Sequence, residues 1–494
     1  MYLFTVALCL AVVIGVYFYN NPMGHGSWFI VRRFINWFPL GMTYAFLYMG
    51  RYNLNVAKNS LGTLMSKEDF GLIFAAGTGT YALSFLINGP LVDKIGGKKG
   101  ILIAALGAAA ANIVMGGLVF LELTGRLKVN LVVALSIVYS LNMYFQSYGA
   151  VSIIKVKAYW FHVRERGVFG AIFGTLISVG VYFAFDWGQS IADMSKANPT
   201  GPQTWLHALI QHVFALKQGN VDATWAVFFV PAAILIGWTV IDWWLIKDTP
   251  EEAGFPAFDT HDASSGQMHI ELTTADLLRK VFTSPLMWMI AAVELTSGVF
   301  RNGTTQWYTI FAREVPQTGA TFFAAHWGWL ICVFGIVGGF AGGLVSDKFF
   351  QSRRGPPAAL LSGCVLLLSF VMAASIFSAP VMVGVASVAI WTCGVGITSL
   401  MSGTAATDFG GRKATATCSG IVDGFAYLGS SIQSIGLGYI TTWNWHWWPV
   451  FFVPFALIGM YIAIKLWNEL PAATRRYIAE VETKAAGPAP TAPG

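Results

Sequence analysis

GPLVDKIGGKKG at Gly89–Gly100 returns in altered form as GLVSDKFFQSRRG at Gly343–Gly355. Each copy follows the second apolar run of its half, once a first apolar segment is set aside. Asp93 with Lys94 and Asp347 with Lys348 stand 254 positions apart. Two charged loops in register at that distance mark a parallel internal repeat, and hence two bundles of the same plan. In each loop the glycine permits a tight helix end, and the aspartate and the cations after it suit bridging between neighbouring helix ends.

The 494 residues are 55% hydrophobic and 11% charged, with a mean hydropathy of +0.61. No soluble core of this size is so apolar, so the chain reads as an all-α integral membrane protein. Apolar segments fall at 2–19, 36–57, 70–92, 100–123, 129–153, 168–190, 225–246, 285–311, 319–345, 357–377, 380–403, 415–440 and 447–467. Each approaches the roughly 20 residues that cross a hydrocarbon layer as a helix. The first has no Lys or Arg before it and no small-x-small site after it, so it reads as a retained extra helix. The expected division is 1–33 for that helix and its connection, 34–246 and 285–467 for two six-helix bundles, 247–284 for a linker, and 468–494 for a tail.

Lys and Arg number about 21 on one side of the spans and about 7 on the other. The richer side, which includes the tail ending GPAPTAPG, is expected to be cytoplasmic. The net charge of +6 therefore reflects orientation, and nucleic acid is not an expected partner. The five cysteines show no metal spacing and read as small packing residues.

One apolar stretch breaks the pattern. AFLYMGRYNLNVAK at Ala45–Lys58 holds Arg51 well inside its span. A charge there costs roughly 2.5–3.5 kcal/mol on insertion scales, so it faces a cavity or a partner. Arg301 in SGVFRNGTTQWY follows 250 positions later, at the matching place of the repeat. Two facing guanidinium forks suit a divalent tetrahedral oxyanion, phosphate or a phosphate ester. Pairing with a resident carboxylate is the competing reading: Glu294 lies seven residues before Arg301 on one face, and Asp423 is another candidate. Tyr44 and Tyr48 share the face of Arg51, and Tyr81 sits in the next helix, as ligand contacts or as packing. With no Walker loop, nucleophile elbow, zinc-binding His-Glu-x-x-His or paired-Cys motif, neither an enzyme nor a cofactor or metal is expected.

The Asp-Lys loop and the six-plus-six layout resemble the major facilitator superfamily over residues 34–467. YAFLYMGRYN (44–53), YWFHVRERG (159–167), KDTPEEAG (247–254), FRNGTTQWY (300–308) and GRKATATCSGIVDGFAYLGS (411–430) narrow this to a resemblance to the organophosphate:phosphate antiporter family. That resemblance implies phosphate binding by Arg51 and Arg301, and site tyrosines at Tyr44, Tyr48, Tyr81 and Tyr427. It also implies an antiporter of a bacterial inner membrane, here expected to be a monomer, exchanging an organic phosphate for inorganic phosphate. Two positions depart from the glycerol-3-phosphate transporter: Phe85 replaces a lysine and Ile177 a histidine. The organic group is therefore left open. A cationic or hydrophobic group is one expectation; Lys155 or Lys157 supplying the missing charge is another. Two alternatives accompany exchange: proton-coupled transport of another anion or a sugar, with Glu294 or Asp423 carrying the proton, and an organophosphate sensor.

Overall fold

The structure is a computed structural model. It describes residues 2–19, 21–128, 130–162, 165–197, 205–214, 221–256, 279, 282–350, 353–409 and 411–469, without the side chains of 166–171, 347 and 403–419 among others. The Asp347 and Cys418 side chains, most of the 247–284 connection and the tail from 470 onward lie outside the described residues.

Among the described residues all regular structure is helical. The order is α1 Tyr2–Tyr19, α2 Ser27–Leu61, α3 Lys67–Ile95, α4 Gly97–Leu123, α5 Leu131–Trp160, α6 Arg166–Tyr182, α7 Gly188–Met194, α8 Trp205–Phe214 and α9 Ala226–Leu245 in the first half. The second half adds α10 Pro285–Glu314, α11 Trp327–Phe349, α12 Gly355–Ser375, α13 Pro380–Phe409, α14 Gly411–Trp443 and α15 Trp447–Lys465. A π turn, Phe183–Trp187, joins α6 to α7 into one span. Two six-helix bundles result, with α1 as an additional helix and α8 as a short one between spans.

Every expected apolar segment falls on a helix, yet eight of the described helices are long and apolar enough to cross a membrane by composition. They are α3, α4, α5, α9, α11, α12, α13 and α15. The shortfall is physical. Helices α2, α10 and α14 have 35, 30 and 33 residues, ample length, but carry arginine, amide and carboxylate groups along the face that meets the other bundle.

Local chemistry sets the helix ends. Ser66 and Asp69 form a reciprocal capping box at the start of α3. At its far end Gly96 takes φ +92°, and the Asp248 carboxylate accepts the Lys98 N–H at 2.7 Å, capping α4. The GPLVDKIGG and KDTPEEAG motifs thus meet in space. Asp93 of the first motif accepts from Lys155 of α5 at 3.0 Å.

The bundles meet along two seams, α3 with α14 and α6 with α11. The first is closely packed because small residues face each other: a Cβ on Gly71 would lie 2.4 Å from the Ser434 carbonyl oxygen. Within the second bundle α10 crosses α14 as tightly. A Cβ on Gly298 would lie 1.8 Å from the Ala426 oxygen, and one on Gly429 2.0 Å from the Leu295 oxygen. That crossing brings Arg301, one turn past Gly298, to the level of Tyr427.

Helix α1 packs on α6, burying Val6 and Tyr17 and turning Phe4, Leu8, Val12 and Val16 outward. The Tyr17 hydroxyl donates to the Ile30 carbonyl at 2.8 Å and accepts from Arg33 Nε at 3.0 Å.

Candidate functional site

Arg51 lies about two thirds of the way along α2 and is 1% exposed. Its Nε donates to Gln146 Oε1 of α5 at 3.0 Å, its Nη2 to the Tyr81 hydroxyl of α3 at 3.2 Å, and its Nη1 to the Tyr427 hydroxyl of α14. The guanidinium carbon sits 4.5 Å from the Tyr48 ring centroid, 4.8 Å from Tyr81 and 5.4 Å from Tyr427. Tyr81 and Tyr427 approach with centroids 4.1 Å apart, and Tyr44 stands edge-on to Tyr48 at 5.6 Å. The expected residues Arg51, Tyr44, Tyr48, Tyr81 and Tyr427 are thus drawn together, the last from the opposite bundle.

A chain of buried amides holds the arginine in place. Gln146 Nε2 donates to Asn142 Oδ1 at 3.1 Å, Asn112 Nδ2 donates to the same oxygen at 3.2 Å, and Asn53 Nδ2 donates to Asn112 Oδ1. Asn142 Nδ2 closes the loop on the Gly50 carbonyl at 2.8 Å, while the Tyr139 hydroxyl donates to the Arg51 carbonyl at 2.9 Å. Sequence reasoning did not single out these amides. Asn142 and Gln146, four apart in an otherwise apolar segment, were the available signal.

Arg301 occupies the matching position on α10 with different surroundings. Its buried Nε has no hydrogen-bond partner among the described residues, and neither Arg51 nor Arg301 forms an ion pair among them. Glu294 is fully buried, and no hydrogen bond of ordinary geometry reaches either of its oxygens there. Asp423 stands one turn before Tyr427 on α14.

Lys155 is engaged elsewhere, in its pair with Asp93, so it does not replace charge beside the arginines. Lys157 lies further along α5, in its last turn. Lys94 and Lys348 sit in the last turns of α3 and α11. Phe85 is 1% exposed and stands edge-on to Tyr81 at 4.8 Å, while Ile177 packs against the apolar core.

On the side opposite the basic loops, the halves are joined above the arginines. The Tyr52 hydroxyl donates to Asn302 Oδ1 at 3.0 Å, Asn55 Nδ2 to the Gln306 carbonyl at 3.1 Å, and the Thr309 hydroxyl to Asn55 Oδ1 at 3.3 Å. The π turn aims Asp186 across the α6–α11 seam, where its carboxylate accepts the Gly328 N–H at 3.1 Å. On the other flank Lys67 pairs with Glu314 at 2.8 Å and donates to the Thr441 carbonyl at 3.1 Å. Beyond these contacts lies a cavity of about 670 Å³ lined by Asn59, Gln189, Asp193, Arg313 and His326, among others.

A charge site buried between two similar six-helix bundles has a known family context. The Major Facilitator Superfamily model matches residues 40–434. The chain belongs to that superfamily. The glycerol-3-phosphate transporter of Bacillus subtilis is 24% identical over 414 residues, covering 82% of this chain and 85% of that protein. The membrane sensor protein UhpC of Escherichia coli is 25% identical over 467 residues, covering 88% and 91%. A probable hexose phosphate transport protein of Chlamydia pneumoniae is 23% identical, covering 87% and 90%. Among solved structures the nucleoside transporter NupG and the transporter FucP in its outward conformation each match with a TM-score of 0.56. They are 13% and 14% identical, cover 87% of this chain, and speak to the fold alone. The protein is a multi-pass membrane transporter and not an enzyme.

Proposed function

We propose that this protein exchanges an organic phosphate ester for inorganic phosphate across a bacterial inner membrane by alternating access. One observation carries the reading: Arg51, buried, and Arg301, half-buried with its Nε enclosed, stand at equivalent positions of the two bundles and have no carboxylate in ion-pair contact among the described residues. A guanidinium withdrawn from water and left without a counter-charge favours a dianion, and its fork matches phosphate oxygens. The names of the relatives, glycerol-3-phosphate and hexose phosphate transporters, support the same class of ligand.

In this reading a bound phosphate neutralises both arginines, draws the bundles together and lowers the barrier to rocking. The empty site resists switching because the like charges repel. The basic face is cytoplasmic, and the unit is a monomer. The closing contacts of Tyr52, Asn55 and Asp186 then seal the periplasmic face.

The test is counterflow of labelled inorganic phosphate in proteoliposomes against a panel of phosphate esters. Exchange that needs phosphate or an ester on both sides is the expected result; absence of any phosphate exchange overturns the reading. A second mechanism, proton-coupled transport of another anion or a sugar, draws on the buried Glu294 carboxyl. Uptake driven by an imposed pH gradient into vesicles without internal phosphate would favour it. The UhpC relative raises a sensor role, which measurable exchange by the purified protein rejects as the sole function.

A further inference from the structure

Phosphate exchange leaves Glu294 without a task. It lies seven residues, close to two turns, before Arg301 on the same face of α10. It is fully buried, and no hydrogen bond of ordinary geometry reaches either oxygen among the described residues; the Thr398 hydroxyl beside it is engaged with Ser297. A carboxylate so placed is costly unless something in the working cycle pairs with it. Asp423, one turn before Tyr427 on α14, is near enough for its charge to act on Glu294, as is that of Arg301.

Among the described residues no lysine or arginine of the opposite bundle pairs with these acids. Phe85 stands on α3 one turn beyond Tyr81, edge-on to that ring at 4.8 Å and 6.4 Å from the Tyr427 centroid. It packs across the seam on Gly420 and Gly424 of α14. Lys155 is taken up by Asp93. Going from the arginine pair toward the basic face, the site therefore changes from two guanidiniums to two carboxylates beside aromatic rings. Such an end suits an organic ammonium, held by charge-assisted hydrogen bonds and by ring faces. The seven-residue step from Arg301 to Glu294 is about 10 Å along the helix, and the reach of the two side chains shortens it to the span of a few carbon atoms.

We propose that the organic phosphate is zwitterionic: an amino-alkyl or amino-sugar phosphate, its phosphate on Arg51 and Arg301 and its ammonium on Glu294 and Asp423 beside Phe85. The inference rests on the organophosphate reading and specifies the other end of that ligand.

The experiment uses the full chain in phosphate-loaded liposomes. Competition against labelled phosphate is measured for matched pairs, ω-aminoalkyl and ω-hydroxyalkyl phosphates of two to six carbons. The ammonium member is expected to compete about tenfold better at its best length, the scale of one charge-assisted contact. Glu294→Gln and Asp423→Asn, on different helices, should each bring the ratio within a pair toward one. Equal competition within every pair, with phosphate exchange intact, overturns this inference and leaves the proposed function standing. So does a ratio that survives both substitutions, or a Glu294→Gln loss falling equally on both members, which would make Glu294 only a counter-charge for Arg301. Loss of all phosphate exchange in the unsubstituted protein overturns the proposed function itself.

Discussion

Arg33 and Arg51 stand 18 positions apart on the same helix, and both are 1% exposed. Their surroundings are opposites. Arg33 forks onto the Glu165 carboxylate at 2.9 and 3.0 Å, donates to the Tyr17 hydroxyl and the Trp160 carbonyl, and lies 4.5 Å from the Phe161 ring. Its charge is cancelled within the protein. Arg51 meets an amide and two phenols, all neutral, and Arg301 Nε has no hydrogen-bond partner among the described residues. A buried arginine that only builds the fold finds its carboxylate at home; one whose charge is left standing is set for a ligand. The contrast also separates two tasks along α2, anchoring at the basic face and binding in the middle.

The largest effects should come from the uncancelled pair. Arg51→Lys or Arg301→Lys keeps a cation but loses the fork, and about two charge-assisted hydrogen bonds at 1.5–3 kcal/mol each correspond to at least a hundredfold fall in exchange. Phosphate counterflow measures it, with thermal stability in detergent as the control. Kinetics unchanged in both variants would remove these arginines from the mechanism.

Gln146→Leu comes next. It leaves Arg51 Nε buried without an acceptor, a penalty of about 1–3 kcal/mol, and frees the guanidinium to turn. Exchange should fall about tenfold. A Gln146→Leu protein exchanging at the unsubstituted rate would show that the tyrosines alone orient Arg51.

These two predictions differ in how far the sequence revealed their residues. Arg51, Arg301 and the repeat that pairs them were legible because a charge inside an apolar span is conspicuous and the 250-residue period gives its mate. Tyr44 and Tyr48 followed from helical register, and Tyr81 and Tyr427 from family resemblance. Gln146 was not, because a neutral amide inside a span raises no comparable alarm. The Tyr52–Asn302 contact was also hidden, since register fixes a face and not which side chains meet across two bundles. Lys155 misled for a similar reason: linear distance from the span centre does not reveal that Asp93 of α3, packed against α5, claims it. Of the thirteen expected spans, α2, α10 and α14, which carry both arginines and Tyr427, are too polar to qualify by apolarity, whereas α3 and α5, which carry Tyr81 and Gln146, do qualify.

A smaller effect is expected where the halves are clasped. The Lys67–Glu314 pair has one half-exposed partner and contributes about 0–1 kcal/mol. It joins the bundles on the far face, so Lys67→Ala should shift the population toward opening there. An Asn302→Cys reporter, which gives up the Tyr52 contact, serves as the common background, and its labelling by an impermeant thiol reagent should rise two- to fivefold when Lys67→Ala is added, about what that energy allows. A slower rate would mean that the pair serves the open form.

The smallest effect on exchange belongs to the Arg33 anchor, where the change should appear in stability instead. Burial alone would raise the Glu165 carboxyl, but the hydrogen bonds and charge of Arg33 outweigh it and hold the group below its ordinary value of 4.5. A carboxyl whose folded pKa is depressed adds stability that is present above the unfolded value and is lost as pH falls through the folded one. His25, 3.5 Å from Glu165, is held below 6.5 chiefly by burial, so its protonation opposes the fold as pH falls below that value in the variant as well. Glu165→Gln removes the counter-charge and leaves Arg33 buried beside neutral groups, so the apparent Tm should drop by several degrees at pH 7. Glu165 also raises His25, so without it protonation of His25 opposes the fold more strongly: the gap should widen slightly as pH falls through about 6.5, then narrow below about 4.5 as the unsubstituted protein loses the Glu165–Arg33 contribution. A gap that went on widening below pH 4.5 would mean that Glu165 is not held below its ordinary value, and the cancelled-charge reading of Arg33, with the contrast drawn from it, would fail.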